Sequence, residues 1–224
     1  MKTIRSSILC LVALLLLAPL LRAQDLSKYR HFTLGMSVTR LLERTGQKMA
    51  DVNVIHGRPA VIQELTWWPP NLPGASFQAD TVEQILFSFY NGELYKISLT
   101  YDRASTEGLT ALDMMNAISA NYGRATNVVP DVDSAKIDSY EVKQKLVATW
   151  EDSQYSFNLV RSSFTDGFGL VIYSKRANAE AELAIAEAVK LDKQEGPQRE
   201  AERQKKQTDD LEATRQRNRK IFHP

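Results

Sequence analysis

A single β-hairpin, VEQILFSFYNGELYKISLTY at residues 82–101, indicates the kind of fold that this chain adopts. Apolar, β-branched and aromatic residues alternate with polar ones on both sides of Asn91-Gly92, a dipeptide typical of tight hairpin turns. The pattern predicts two antiparallel strands, at residues 82–89 and 93–101. It is the strongest hairpin signal in the chain.

The register of this hairpin follows from keeping apolar side chains on one face of the sheet. A two-residue turn would place Phe87 opposite Lys96, which mixes apolar and charged side chains on that face. A three-residue loop at residues 90–92 places Phe87 opposite Tyr95 instead, and the apolar face becomes uniform. That loop needs Gly92 in the left-handed conformation of a glycine bulge. We therefore expect the three-residue loop.

Further strands and two short helices surround the hairpin. One helix is capped by Ser37 and ended by Gly46; the other is capped by Thr110 with Asp113 and ended by Gly123. Consecutive hairpins with helices between them predict an α+β fold, an antiparallel sheet of about six to seven strands with two short helices on one face. The other strands are predicted at residues 52–56, 60–68, 145–151, 154–161 and 168–174.

The second predicted hairpin, residues 145–161, has a two-residue loop at Asp152-Ser153 that would place Trp150 opposite Tyr155. The helices and hairpins together predict an α+β domain over residues 29–176. This domain is either one continuous sheet or two tandem helix-plus-sheet modules, at residues 29–102 and 108–176.

A charged tail follows the domain at residues 178–224. Asn178 is a plausible cap for a helix over residues 179–193, and Gly196-Pro197 should break that helix. Beyond the break, residues 198–220 carry almost no large apolar side chain. The tail is therefore expected to be a long charged C-terminal helix or a disordered, solvated segment. The alternative is a tail that docks on a partner or a surface.

The first 23 residues have the pattern of a secretory signal peptide. Lys2 and Arg5 precede an apolar run at residues 8–21 that is short for a membrane span, and Ala23 stands where a signal peptidase needs a small residue. Cleavage there would remove Cys10, the only cysteine. We expect a periplasmic or secreted bacterial protein with no membrane span after cleavage. The alternative is an uncleaved N-terminal anchor.

Composition excludes several classes of protein. Of 224 residues, 28 are Lys or Arg and 27 are Asp or Glu, and this near-balance argues against a dedicated nucleic-acid-binding protein. A single cysteine excludes a disulfide-stapled miniprotein and, once it is cleaved away, also thiol chemistry.

The chain carries few residues suited to catalysis. The three histidines, His31, His56 and His223, are far apart, and no phosphate-binding glycine loop or known catalytic motif occurs. We expect a protein that is not an enzyme and holds no cofactor. A hydrolase whose triad is assembled from distant segments remains the less favoured reading.

Three aspartates close together in the sequence could offer oxygen ligands to calcium. They are Asp131, Asp133 and Asp138. An EF-hand loop that began at the first of them would need Gly at its sixth position and Glu at its twelfth, where Lys136 and Val142 stand. The sequence therefore predicts a solvated acidic loop and no metal site.

The most unusual short string is Trp67-Trp68-Pro69-Pro70. Alternation along a strand would direct the two indoles to opposite faces, so that one of them could be an exposed aromatic anchor for a partner. In the other interpretation, the following loop covers this indole, with Phe77 as one of the covering side chains. These five residues are the candidate partner-binding residues.

Two segments carry a resemblance to a known group of proteins. Phe32-Thr33-Leu34-Gly35-Met36-Ser37, which opens a helix that ends at Gly46, and residues 87–97 resemble modules of the SmpA/OmlA-type outer-membrane assembly lipoproteins and the β-lactamase-inhibitor-protein-like fold. The resemblance implies a helix that leads into an antiparallel sheet, in some cases in tandem. It also implies a non-catalytic protein-binding module in the cell envelope.

These observations predict an exported, non-catalytic envelope protein that acts through protein–protein interaction. The candidate surface is the outer face of the sheet together with the loop at residues 67–77, and the partner is an unidentified envelope protein. The alternative is a periplasmic small-molecule-binding protein with an aromatic-lined pocket between sheet and helices.

Overall fold

The computed structural model describes residues 25–69, 81–129, 144–162 and 167–222. In these residues, one eight-stranded antiparallel sheet has the strand order β3-β4-β5-β6-β10-β9-β8-β7. Its strands are β3 (Asn53–His56), β4 (Ile62–Trp67), β5 (Val82–Tyr90), β6 (Glu93–Tyr101), β7 (Asn127–Val128), β8 (Gln144–Glu151), β9 (Tyr155–Ser162) and β10 (Phe168–Ser174). The α+β class is confirmed, and the sheet has one strand more than the upper bound expected.

The remaining elements are a small ribbon and the helices. The ribbon pairs β1 (Lys28–Tyr29) with β2 (Phe32–Thr33). The helices are α1 (Val38–Thr45), α2 (Arg103–Thr106), α3 (Ala111–Tyr122) and α4 (Lys175–Ile221). Elements α1 and α3 each precede four strands of the sheet.

The β5–β6 hairpin has a different turn from the one predicted. Tyr90 pairs with Glu93, so the turn is Asn91-Gly92 and the expected three-residue loop is wrong. Both turn residues have positive φ, 50° and 83°, as a type I′ turn requires. A turn of this type matches the twist of the two strands and so prevails over the longer loop.

A bulge explains why the short turn still gives an apolar face. Tyr95 is an extra residue on β6, and beyond it the register shifts so that Phe87 lies opposite Ile97. The expected pairing of Phe87 with Tyr95 is therefore wrong, although the reason for expecting it, a uniform apolar face, holds.

The β8–β9 hairpin also departs from the predicted register. Trp150 pairs with Phe157 and not with Tyr155. The carboxylate of Asp152 accepts hydrogen bonds from the backbone N–H groups of Gln154 and Tyr155, both at 2.7 Å. With this Asx turn, Glu151 pairs with Ser156, whereas the predicted two-residue loop would have paired Glu151 with Gln154.

The core lies between the inner face of the sheet and the helices α1 and α3. Ser37 caps α1 and Gly46 ends it with φ 70°, while Thr110 and Asp113 form a capping box at the start of α3. The predicted caps are therefore confirmed. The inner face is built from Leu65, Ile85, Phe87, Ile97, Leu99, Trp150, Phe157, Leu159, Leu170 and Ile172, all buried.

The sheet is continuous because β6 pairs with β10. This pair joins the strands of residues 53–101 to those of residues 127–174. At the junction, a Cβ on Gly169 would lie 2.6 Å from the backbone oxygen of Leu99, so the close approach of the strands requires glycine.

The tail forms one helix of 47 residues, α4. The predicted cap, Asn178, lies inside the helix and donates a hydrogen bond to Glu182. The predicted break at Gly196-Pro197 is also wrong, because the helix continues through it. The segments on either side of Gly196-Pro197 are rich in Ala, Glu, Lys and Gln, which are strong helix formers. An ion pair from Arg199 to Asp192 at 2.7 Å also spans the proline.

Several predictions fall outside the described residues. Outside the described residues lie the signal peptide, the acidic loop with Asp131, Asp133 and Asp138, and His223. In the described part of the chain, no helix combines the length and apolarity needed to cross a bilayer. The same part holds no group of three or more His, Cys, Asp or Glu side chains arranged to bind a metal ion.

Candidate functional site

An open cavity of about 700 Å³ lies on the helix side of the sheet, and we call it the Tyr101 cavity. Ligand sites in proteins commonly enclose about 300–1,000 Å³, so its size suits a small molecule. Its walls come from the β1–β2 turn, the end of β6, the segment from α2 to α3, and Leu170 at the start of β10.

One wall of the Tyr101 cavity is apolar. Met114 and Ile118 face it from α3 and are buried, and Leu170 closes it from the sheet. Leu109, in the connection between α2 and α3, is partly exposed at the edge. These side chains can hold an apolar body away from water.

Three tyrosines are among the polar residues of the lining, which also include Thr81, Ser105, Thr106 and Asn121. Tyr29, Tyr101 and Tyr122 all line the cavity, from β1, β6 and α3 respectively. The hydroxyl of Tyr122 donates to the backbone oxygen of Lys28 at 3.1 Å, which ties α3 to the ribbon. A side-chain hydrogen bond also links Tyr29 with Tyr101.

The phenols of Tyr101 and Tyr122 stay protonated at neutral pH. Burial is the main cause that raises the pKa of Tyr101 far above its usual range, and it also raises the pKa of Tyr122. The positive charge of Arg30 acts on both phenols in the opposite direction. The hydroxyls therefore remain neutral groups, able both to donate and to accept hydrogen bonds.

Arg30 reaches this site through an unusual backbone conformation. It lies in the turn between β1 and β2 with φ 53°, in the left-handed region that a long side chain rarely adopts. Its guanidinium carbon is 5.4 Å from the centre of the Tyr29 ring. Such backbone strain concentrates at functional sites.

The other side of the sheet, its outer face, is partly covered by α4. Ala177, Ala181 and Ile185 of α4 pack on the cluster that includes Ile62 and Tyr95. This contact lies at the start of β4 and β6, at the opposite end of β6 from Tyr101. The cavity and the helix contact thus occupy different faces of the sheet.

Ion pairs hold α4 at both ends of this contact. At its start, Lys175 donates to the backbone oxygen of Asp152 at 2.7 Å and lies 2.6 Å from a carboxylate oxygen of Glu151. Further along, Arg58 pairs with Glu195. From residue 201 to its end at residue 221, every side chain of α4 is exposed.

The other end of the outer face is left open by the described residues of α4. Thr100 is exposed there, while Val171 and Asn158 on the neighbouring strands are half-buried. Asn158 accepts a hydrogen bond from Thr149 at 3.0 Å and donates to the backbone oxygen of Val171 at 3.2 Å. The result is a mixed polar and apolar surface.

The three predicted partner-binding residues that the structure describes, Trp67, Trp68 and Pro69, do not line the cavity. Trp67 is half-buried, with its ring 5.7 Å from that of Phe32 in an edge-on contact, and Pro69 is buried. Trp68 is 61% exposed, so only the first of the two indoles packs against the core. The other two residues of that set, Pro70 and Phe77, are outside the described residues. Their role in binding stays a prediction.

Neither of the two described histidines belongs to the cavity lining. His56 lies 4.0 Å from a carboxylate oxygen of Asp192 on α4. His31 shares the β1–β2 turn with Arg30, and burial lowers its pKa, as do Arg44 and Arg30.

Sequence reasoning missed the residues of the Tyr101 cavity. They come from five separate segments between residues 25 and 170, and none of these segments carries a recognisable motif. The one local signal is a bulky residue, Arg30, in a two-residue hairpin turn, where glycine or asparagine is preferred.

In comparisons with known proteins, no family model matches this sequence, and neither a curated protein nor a solved structure matches it significantly.

Proposed function

We propose that the protein is an exported, non-catalytic binding protein that holds a small molecule in the Tyr101 cavity. The observation that carries this proposal is the cavity itself, whose lining combines the buried apolar side chains of Met114 and Ile118 with Tyr29, Tyr101 and Tyr122. An apolar pocket with a few convergent polar groups is the usual form of a ligand site.

Two further observations support a role in binding without catalysis. Neither described histidine lines the cavity, and the raised pKa values of Tyr101 and Tyr122 keep these two phenols protonated. Export is supported by the charged start, apolar run and Ala23 of the first 23 residues.

Filling the cavity from α3 is expected to block binding. Ala117 lines the cavity and is exposed, so Ala117→Trp places an indole in it. If the indole displaces two methylene groups of a ligand, about 1.6 kcal/mol is lost, and affinity falls more than tenfold. Octanoate and octanol are titrated into the protein by calorimetry, and both should bind more weakly to this variant.

The matched control is Ala120→Trp, an exposed position on the same helix that is not part of the lining. It should leave both affinities unchanged. The proposal fails if neither compound binds the unaltered protein, or if Ala117→Trp and Ala120→Trp have the same effect.

A second candidate function is binding of another envelope protein through the open end of the outer face. It is favoured by the exposure of Thr100 beside half-buried Val171 and Asn158, a surface that α4 leaves accessible. Cross-linking of the full-length chain in the periplasmic fraction should then capture one specific partner. Thr100→Arg should abolish that capture, and Thr208→Arg, on the exposed part of α4, should not. Capture that both variants retain would contradict this function.

A further inference from the structure

The last two turns of α4 carry positive charge on opposite sides of the helix. Residues 213–222 contain four cations, Arg215, Arg217, Arg219 and Lys220, and no carboxylate side chain. Arg215 and Arg219 are four residues apart and share one side of the helix, whereas Arg217, midway between them, lies on the opposite side. We call residues 215–222 the basic end of α4.

Ion pairs within the described residues do not neutralise this charge. The ion pairs that lie farthest along α4 join Arg199 to Asp192 and Arg203 to Glu200. No described residue forms an ion pair with any of the four cations at the basic end. The preceding residues 200–212, by contrast, hold five carboxylates and three cations. Positive charge is therefore concentrated where α4 ends.

Two large apolar side chains directly follow the four cations. Ile221 is the last residue of α4 and is 66% exposed, and Phe222 after it is 74% exposed. Neither side chain belongs to a hydrophobic cluster of the described residues. Cations next to exposed apolar side chains are typical of segments that bind to a membrane surface.

The arrangement of the cations around the helix favours a bilayer over other negatively charged partners. A groove on a protein or a nucleic acid contacts a helix along one side, so it would leave Arg217 or the pair Arg215 and Arg219 without an anion. A bilayer that the helix enters end-on places phosphate groups all round it. The hydrocarbon beneath those phosphates suits Ile221 and Phe222.

We propose that the basic end of α4 binds the surface of a bilayer that contains anionic phospholipid. The four cations contact lipid phosphates, and Ile221 and Phe222 enter the adjoining hydrocarbon. Each Lys or Arg near such a surface strengthens binding about fivefold. The association is reversible, because a few cations and two apolar side chains give far less binding energy than a membrane-spanning helix.

Co-sedimentation of the full-length chain with lipid vesicles tests the requirement for charge. One set of vesicles is phosphatidylcholine alone, and the other also contains phosphatidylglycerol, which is anionic. The protein is expected to bind the anionic vesicles at least tenfold more tightly, and added salt should reduce this preference because salt screens exposed charges. The first 23 residues are identical in all variants, so differences between variants report on α4 alone.

The double variant Arg217→Gln, Arg219→Gln removes two cations from the basic end. Its binding to anionic vesicles should fall more than tenfold, at about fivefold for each cation. The matched control is Lys205→Gln, Lys206→Gln, which loses the same charge from exposed positions of α4. These lysines lie about 18–20 Å earlier along the helix, beyond the range of about 8–10 Å over which charges interact through salt solution. Binding by the control should stay unchanged.

Phe222→Ser tests the apolar contribution in the same assay. It should weaken binding to anionic vesicles about tenfold, because a large apolar side chain no longer leaves water. The matched control is Leu211→Ser, at a side chain that is 72% exposed and about 17 Å earlier along the helix. This control should bind like the unaltered protein. Equal losses for the two substitutions would contradict end-on entry of the helix.

Three other outcomes would also overturn the proposal. One is equal binding of the unaltered protein to both kinds of vesicle, and another is an equal loss for the arginine and lysine double variants. The third is tighter binding to polyglutamate or to duplex DNA than to anionic vesicles at the same salt concentration, because these polyanions offer charge without hydrocarbon. None of these results bears on the small-molecule function, since no residue of the basic end lines the Tyr101 cavity.

Discussion

Trp150→Ala is expected to lower the free energy of unfolding by about 3–5 kcal/mol, the cost typical of truncating a large buried aromatic residue. Trp150 is 1% exposed and belongs to the core cluster between the sheet and the helices α1 and α3. Its indole Nε1 also donates a hydrogen bond to the backbone oxygen of Gly123 at 2.8 Å. The substitution thus opens a cavity and leaves a carbonyl at the end of α3 without that donor.

The matched control is Trp68→Ala, at the indole that is 61% exposed. Its effect on unfolding should stay within about 0.5 kcal/mol, as is usual for surface positions. Urea unfolding followed by far-ultraviolet circular dichroism measures both variants without relying on tryptophan fluorescence. Equal losses for the two substitutions would show that Trp150 is not a core residue.

Ala181→Asp is expected to detach the first half of α4 from the outer face of the sheet. Ala181 is 0% exposed and packs in the cluster with Ile62 and Tyr95, where a carboxylate would have to be buried. Burial of a polar group without partners costs about 1–3 kcal/mol, and burial of a charge costs more. Backbone amides of residues 181–192 should then exchange with solvent at least tenfold faster.

Ala201→Asp is the control on the same helix, because Ala201 is exposed. Both substitutions carry the same loss of helix propensity, so the difference between them measures burial alone. Hydrogen exchange detected by mass spectrometry compares the two variants. If amide exchange in α4 is equally fast in both, α4 does not pack on the sheet.

The fold class was predictable from sequence because it depends on local patterns. Alternation around Asn91-Gly92 and the caps at Ser37 and Thr110 each act over a few residues, and the structure has the elements that they predict. The exact pairing was not predictable, since Tyr95 forms a bulge and Asp152 forms an Asx turn. The bulge and the Asx turn each shift the register of a strand pair but leave the alternation of apolar and polar residues in the sequence unchanged.

The course of α4 depended on tertiary contacts that composition does not reveal. Gly196-Pro197 is a strong helix-breaking signal, yet the helix continues, flanked by ion pairs of Glu195 with Arg58 and of Arg199 with Asp192. The few apolar side chains on one face of α4, among them Ala181 and Ile185, cover part of the sheet because they pack on Ile62 and Tyr95.

The cavity could not be predicted because no single segment contains it. Tyr29, Tyr101 and Tyr122 are far apart in the chain and meet only when the ribbon, β6 and α3 are in place. An aromatic-lined pocket between sheet and helices was one of the three functional hypotheses, but its residues emerged only from the structure.

The central claim, that the Tyr101 cavity binds a small molecule, is tested most directly by locating the ligand. Octanoate is titrated into the isotope-labelled protein, and backbone amide chemical shifts are followed by NMR. The account predicts that the largest shifts occur at Arg30, Leu109 and Ile118, while Thr149 and Val171 on the outer face stay unchanged. Largest shifts on the outer face, or no shifts at saturating octanoate, would contradict it.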